Sequence, residues 1–159
     1  MVEKAVETKR KVMIICAKSN MEDVYASLLL ANGAVMDGIE ANLFFTFWGL
    51  DAITKKKMNK IKAAVIGNPS LPFPTIIGLI PGLSWLMSKM MYKKMDELDL
   101  PPVGEFLELI TAGGGEIYAC KAAMDMFGLK KEDLWDEVKA VITVGDFYEK
   151  SNGAQIIFT

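Results

Sequence analysis

Two cysteines and no histidine limit what chemistry this chain can do. Without histidine there is no Ser-His-Asp or Cys-His arrangement, no imidazole general base and little prospect of a zinc site, so a cysteine, a carboxylate or a lysine must lead. Cys16 and Cys120 are too few for a disulfide framework and too far apart for a CxxC motif, which fits a reducing compartment. Cys120 ends the apolar stretch EIYAC and precedes a short helical pattern, so it stands where a strand gives way to a helix. A thiol there meets the positive end of the helix dipole and unpaired backbone N–H groups, which favour the nucleophilic thiolate, and Lys121 adds a positive charge beside it. The competing reading is a small buried apolar residue, as free cysteines often are. Cys16 lies inside an apolar run and reads first as buried filler; a resolving role would require disulfide geometry between the two sulfurs.

The elements around these thiols follow from hydrophobic periodicity. Lys11 to Lys18 (KVMIICAK) has the continuous apolar pattern of a strand buried on both faces. Ser19 with Glu22 forms a capping-box signature, and Met21, Val24, Leu28, Ala31, Val35 and Ile39 recur at helical spacing up to Gly38. Ala41 to Leu50 (ANLFFTFWGL) predicts a second buried strand, and Pro101-Pro102 opens a helix that Gly113-Gly114-Gly115 stops. The glycines precede a strand, which argues against a phosphate loop. Glu116 to Cys120 predicts a third strand, Lys121 to Phe127 a short helix closed by Gly128, and Glu132 to Val138 another helix. Val138 to Val144 and Ala154 to Phe158 supply two more strands, with one or two helical turns over Asp146 to Asn152. Alternation of this kind predicts a three-layer α/β/α sandwich with a mainly parallel five-stranded sheet.

A chain of 159 residues is expected to form one domain over 1–159, with an apolar insertion at about 60–98. Residues Ala63 to Ser88 carry no charge, but Pro69, Pro72, Pro74 and Pro81 break any continuous spanning helix. Pro81-Gly82 followed by Leu83, Leu86, Met87, Met90 and Met91 predicts an amphipathic helix. Its stripe is expected to meet a second subunit, to act as a flap over the site, to make peripheral contact with a membrane surface, or to join the chain's own core. The net charge of −2, from 18 basic and 20 acidic residues, points away from nucleic acid. The charged N-terminus, Met1 to Arg10, precedes only a short apolar run at Val12 to Ala17, without the long apolar core of a signal peptide, so a cytoplasmic location is the expectation.

In a parallel sheet ligands bind beyond the carboxyl ends of the strands, which directs attention to Lys18, to Trp48, Gly49 and Asp51, to Cys120 and Lys121, and to Asp146. Trp48 could line a pocket, although an aromatic in such a run is more often core. Asp51 and Asp146 could orient a ligand or bind a cation but are more often helix caps.

The FFTFWGL run from Phe44 to Leu50, the Met-rich insertion flanked by lysines, the ANGA segment at Ala31 to Ala34, and the C-x-x-x-M-D-x-x-G stretch from Cys120 through Met124, Asp125 and Gly128 together resemble the DsrE/DsrF/DsrH-like sulfur-relay family, in its branch often labelled peroxiredoxin-like. The resemblance implies a homo-oligomer that holds sulfane sulfur as a persulfide on a cysteine at the third strand's end and passes it to partner proteins. Cys120 matches that cysteine. Family members of this branch often carry a glycine- and methionine-rich insertion with membrane-spanning character, whereas the insertion here is proline-broken and poorer in glycine.

The function expected is a sulfur carrier or sulfurtransferase, with sulfur donor and acceptor proteins or small sulfane-sulfur compounds as partners and with no cofactor or metal. Lys121 and Lys18 could hold an anionic donor, with Trp48, Gly49 and Cys16 also near the strand ends. Two other readings compete: a thiol peroxidase, and a non-enzymatic oligomeric or membrane-peripheral assembly module built on the insertion. Cys120 lacks the Thr-x-x-Cys context of true peroxiredoxins.

Overall fold

The computed structural model describes residues 10–65 and 80–159. Five strands form one sheet in the order β4-β3-β2-β1-β5: β1 (Lys11–Cys16), β2 (Glu40–Phe45), β3 (Glu116–Cys120), β4 (Ala140–Ile142) and β5 (Gln155–Phe158). All four pairings are parallel, so the sheet is wholly parallel where the sequence predicts a mainly parallel one. The helices are α1 (Met21–Met36), α2 (Leu83–Asp96), α3 (Val103–Ala112), α4 (Lys121–Phe127) and α5 (Val144–Lys150).

The sheet separates two layers. Cys16 is in register with Phe45, and Phe45 with Ala119, so these three side chains share one face. On that face Cys16 meets Ser27 of α1. Phe44 points the other way, where its ring lies 5.0 Å from Phe147 of α5. The apolar positions of α1 and α3 fill the first layer, with Leu28, Leu107 and Ile110 fully buried. At the far side of α1, the Tyr25 ring packs edge-on against Phe106 of α3 at 5.9 Å.

Several expected boundaries shift for identifiable reasons. β1 ends at Cys16 and not at Lys18, and β2 ends at Phe45 and not at Leu50. Phe47 enters the left-handed region at φ 44°, which an extended strand cannot contain, and Phe47–Ile53 winds into a 3₁₀ helix. The capping box of Ser19 and Glu22 does not form. Asn20 is the N-cap, the Met21 N–H donates to the Lys62 carbonyl at 2.8 Å, and the Glu22 carboxylate accepts from the Ala64 N–H at 3.1 Å. The start of the insertion therefore does the capping that a local side chain was expected to do.

The helix expected over Glu132 to Val138 is absent. Only Lys131–Asp133 makes a 3₁₀ turn, because the Trp135 N–H donates to the Ile53 carbonyl at 2.8 Å and Leu134 bridges antiparallel to Thr54. α3, β3 and α4 lie where periodicity and stop signals put them, whereas the strand expected over Val138 to Val144 shrinks to Ala140–Ile142 and α5 starts at Val144, two residues early, because Thr143 and Asp146 form its capping box.

Within the insertion, α2 forms as expected, but its apolar stripe is divided. Met91, Tyr92 and Met95 pack toward the core, while Trp85, Leu86 and Met90 are exposed. Ser88 is the buried anchor: its hydroxyl accepts from the Ala63 N–H at 2.9 Å and donates to the Ser84 carbonyl at 2.6 Å. Pro69, Pro72 and Pro74 lie outside the described residues. Among the described residues, no helix is long and apolar enough to cross a membrane.

Candidate functional site

β3 carries Cys120 to the carboxyl edge of the sheet, and the chain turns there directly into α4 with Cys120 as its N-cap. A residue with φ −73° and ψ 118° ends the strand without strain, and Gly128, in the left-handed region at φ 64°, closes the seven-residue helix. The Cys120 side chain makes no capping hydrogen bond into α4. It is largely covered, keeping 7% of its surface in contact with solvent.

The neighbours do not all behave as the spacing suggests. Lys121 turns back along its own helix, where its ammonium meets the Asp125 carboxylate at 2.7 Å. Its positive charge is thus shared with a carboxylate four residues away and is not a free charge beside the thiol. Lys18 likewise pairs with Asp23 at 3.2 Å. Asp51 holds Lys57 at 2.7 Å, and Asp146 closes a reciprocal capping box with Thr143 at the start of α5. Hydrogen bonds from the Thr143 backbone and hydroxyl hold the Asp146 carboxyl below the usual carboxylate range.

Trp48 does stand at the strand ends, exposed, with its ring 4.7 Å from that of Phe127 on α4. This tilted stack ties the 3₁₀ segment to the helix that Cys120 begins. Phe127 was not singled out by the sequence, since its pairing spans 79 positions and leaves no local pattern. Gly49 has a packing role. A β-carbon there would sit 2.1 Å from the Cys16 carbonyl oxygen, and its N–H donates to the Ala17 and Thr46 carbonyls at 3.1 and 2.9 Å.

Cys16 is sealed from solvent and donates to the Lys18 carbonyl at 3.4 Å. Burial pushes its thiol up from the ordinary value, against opposing hydrogen bonds from Ser27 and Thr159. The two cysteines are not brought together. Cys16 shares its face with Ala119, so strand alternation turns Cys120 to the opposite face. Two strand spacings, roughly 9.5 Å, separate Cys16 from Ala119, whereas a disulfide needs Cα atoms within about 7 Å. A bridge between them would require the backbone to move.

What this arrangement offers chemically is one thiol at a sheet's carboxyl edge, largely covered but not sealed, with no acid or base group paired to it among the described residues. Such a thiol suits transfer of a group from one sulfur to another more than hydrolysis, which would need an activated water.

Comparison with known proteins places the chain as a whole. The sequence profile of the DsrE/DsrF/DrsH-like family matches residues 8–158. The chain is 32% identical to the sulfur carrier protein DsrE2 of Allochromatium vinosum, over 82% of this chain and 86% of that protein. It is 26% identical to the uncharacterized protein YrkE of Bacillus subtilis, over 83% and 86% of the two chains. Among solved structures, the ychN protein of E. coli superimposes with a TM-score of 0.58 at 16% identity, covering 94% of this chain and 99% of that one. MTH1491 of Methanobacterium thermoautotrophicum gives 0.59 at 11% identity, with the same coverage. These two likenesses concern the fold alone. With the family profile spanning nearly the whole sequence, the chain belongs to the DsrE/DsrF/DrsH-like family.

Proposed function

We propose that this protein is a sulfur carrier that holds sulfane sulfur as a persulfide on Cys120 and hands it to a partner thiol. The observation that carries this reading is the contrast between the two thiols. Cys16 has no exposed surface, while Cys120 stands at the ligand-binding edge of the sheet with part of its surface open. The 32% identity to the sulfur carrier protein DsrE2 of A. vinosum supports a sulfur-carrying role.

In the loading step the Cys120 thiolate attacks the outer sulfur of a polysulfide, of thiosulfate or of a donor persulfide. The sulfur–sulfur bond inside the donor breaks and its electron pair leaves with the remainder, as a shorter polysulfide, sulfite or a thiolate. In the unloading step an acceptor thiolate attacks the outer sulfur of the Cys120 persulfide, and Cys120 recovers its thiolate. Neither step needs a cofactor or a general base, because each nucleophile is an anion and each leaving group departs as one. Turnover is set by the partners, so the isolated chain is expected to show little activity of its own. Donor and acceptor thiols are the partners of this reading, and the carrier works as a homo-oligomer.

Intact-mass analysis after exposure to inorganic polysulfide tests the proposal. The parent and Cys16→Ser should each gain sulfur that dithiothreitol removes, and Cys120→Ser should gain none. No gain in the parent, or an equal gain in Cys120→Ser, overturns it.

A further inference from the structure

Two clefts flank residues 60–62 on the side of the sheet where β1 ends, and neither involves Cys120. The larger, of about 420 Å³, lies between this segment and α2, with Ile61, Trp85, Tyr92 and Lys89 among its walls. The smaller, of about 270 Å³, is lined by Ser19, Asp51, Lys57, Lys60 and Lys62. Lys60 and Lys62 border both. We propose that the two clefts form one binding site for an amphiphilic organic anion, with an aromatic or apolar body against Trp85 and Tyr92 and a sulfonate, phosphate or carboxylate head at Lys60 and Lys62.

Charge gives the first reason. Four lysines face these clefts against one carboxylate, that of Asp51, which Lys57 already engages at 2.7 Å. Among the described residues, Lys60, Lys62 and Lys89 have no carboxylate within ion-pair distance, although the chain as a whole carries a net charge of −2. Cations gathered around a concave surface without counterions raise the local concentration of anions.

The second reason is the character of the larger cleft. Its walls are mainly apolar, and the Lys89 ammonium lies 5.3 Å from the centroid of the Trp85 ring, so aromatic surface and positive charge meet at one rim. A small inorganic anion would leave that surface unused. Together the clefts have the size of sites that enclose drug-sized ligands, roughly 300–1,000 Å³.

Pre-organisation is the third. Tyr92 donates to the Ile61 carbonyl at 2.8 Å and Ser88 accepts from the Ala63 N–H at 2.9 Å, so both walls are fixed to each other before any ligand arrives.

The test uses the full chain and 8-anilinonaphthalene-1-sulfonate, with the uncharged N-phenyl-1-naphthylamine as control. Calorimetry should show one sulfonate bound per chain and at least tenfold weaker binding of the neutral compound. Lys60→Ala/Lys62→Ala should weaken the sulfonate at least tenfold and leave the neutral compound unchanged, while Lys60→Arg/Lys62→Arg should keep most of the affinity. All these positions are exposed, and circular dichroism verifies that each variant is folded. Displacement of the probe by phosphatidylglycerol vesicles would support the site with a lipid as the source of its anion, and displacement only by a dissolved alkyl sulfate would support it with a soluble one. Equal affinity for the two probes, or sulfonate binding unaffected by the alanine pair, overturns the proposal.

Discussion

Cys16 and Cys120 are the same residue type at the same edge of one sheet, and burial separates their chemistry. The raised thiol of Cys16 keeps its proton to higher pH in the native state than in the unfolded chain. Between those two values the folded protein binds more protons, so its stability falls as pH climbs past the ordinary thiol value of 9.0. Tyr25, pushed up to about 12 chiefly by burial, adds a second decline that begins above its ordinary 10.0. Urea midpoints measured against pH should therefore fall in two stages on the alkaline side. Cys16→Ala should remove the earlier stage and leave the later one, whatever it does to stability at neutral pH; an unchanged first stage would show that Cys16 does not titrate in this way. The position of Cys120 was readable from sequence because a strand pattern, a helix pattern and a closing glycine bracket it within 13 residues, Glu116 to Gly128. The partners of Lys18 and Lys121 were not, because a lysine's reach allows several carboxylates and only the fold selects Asp23 and Asp125. Gly49 was noted for its place at a strand end, yet its contact with the Cys16 carbonyl depends on how two strands meet.

Elements whose signals are local came through, and those decided by distant backbone groups did not. α4 and α3 carry their own stop signals at Gly128 and Gly113. By contrast the stretch from Glu132 to Val138 has helical spacing, but the Ile53 carbonyl takes the Trp135 N–H that a helix would need. α2 combines both cases: its periodicity announced the helix, and the face it buries is set by Ser88 and Tyr92 reaching back to Ala63 and Ile61. Because these two hydrogen bonds join α2 to the segment before it, Ser88→Ala leaves the buried Ala63 N–H without its partner, at a cost of about 1–3 kcal/mol. The loss should be regional. Hydrogen exchange should speed up in α2 and at Ala63, with the amides of β1, β2 and β3 keeping their protection. Uniformly faster exchange across the sheet would mean that α2 is part of the central cooperative unit and not a separately anchored element.

At the scale of the whole molecule, the parallel sheet was legible from its alternating pattern, but nothing in that pattern says how much cover each face receives. One face is packed by α1 and α3, whereas the other receives the seven residues of α5. Beside that short helix, Ile156 and Phe158 of the edge strand β5 stand in register with Met13 and Ile15, and they are 50% and 67% exposed. Tyr148 and Val144 of α5 are 67% and 60% exposed. Scattered exposed apolar residues need no explanation, but large apolar side chains left open on one sheet face and on the helix that covers it are where a contact surface is to be tested first. A second copy of the chain is the simplest partner consistent with the homo-oligomer expected of the carrier, since a two-fold contact covers the same patch on both subunits. Light scattering coupled to size exclusion should then give a multiple of 17.6 kDa for the parent. Tyr148→Asp/Phe158→Asp, which places charge on exposed positions and leaves the core intact, should return the mass to 17.6 kDa with an unchanged circular dichroism spectrum. A parent already at 17.6 kDa would remove self-association from the reading, and an oligomer indifferent to the two aspartates would move the interface to another surface, with the exposed side of α2 next in line.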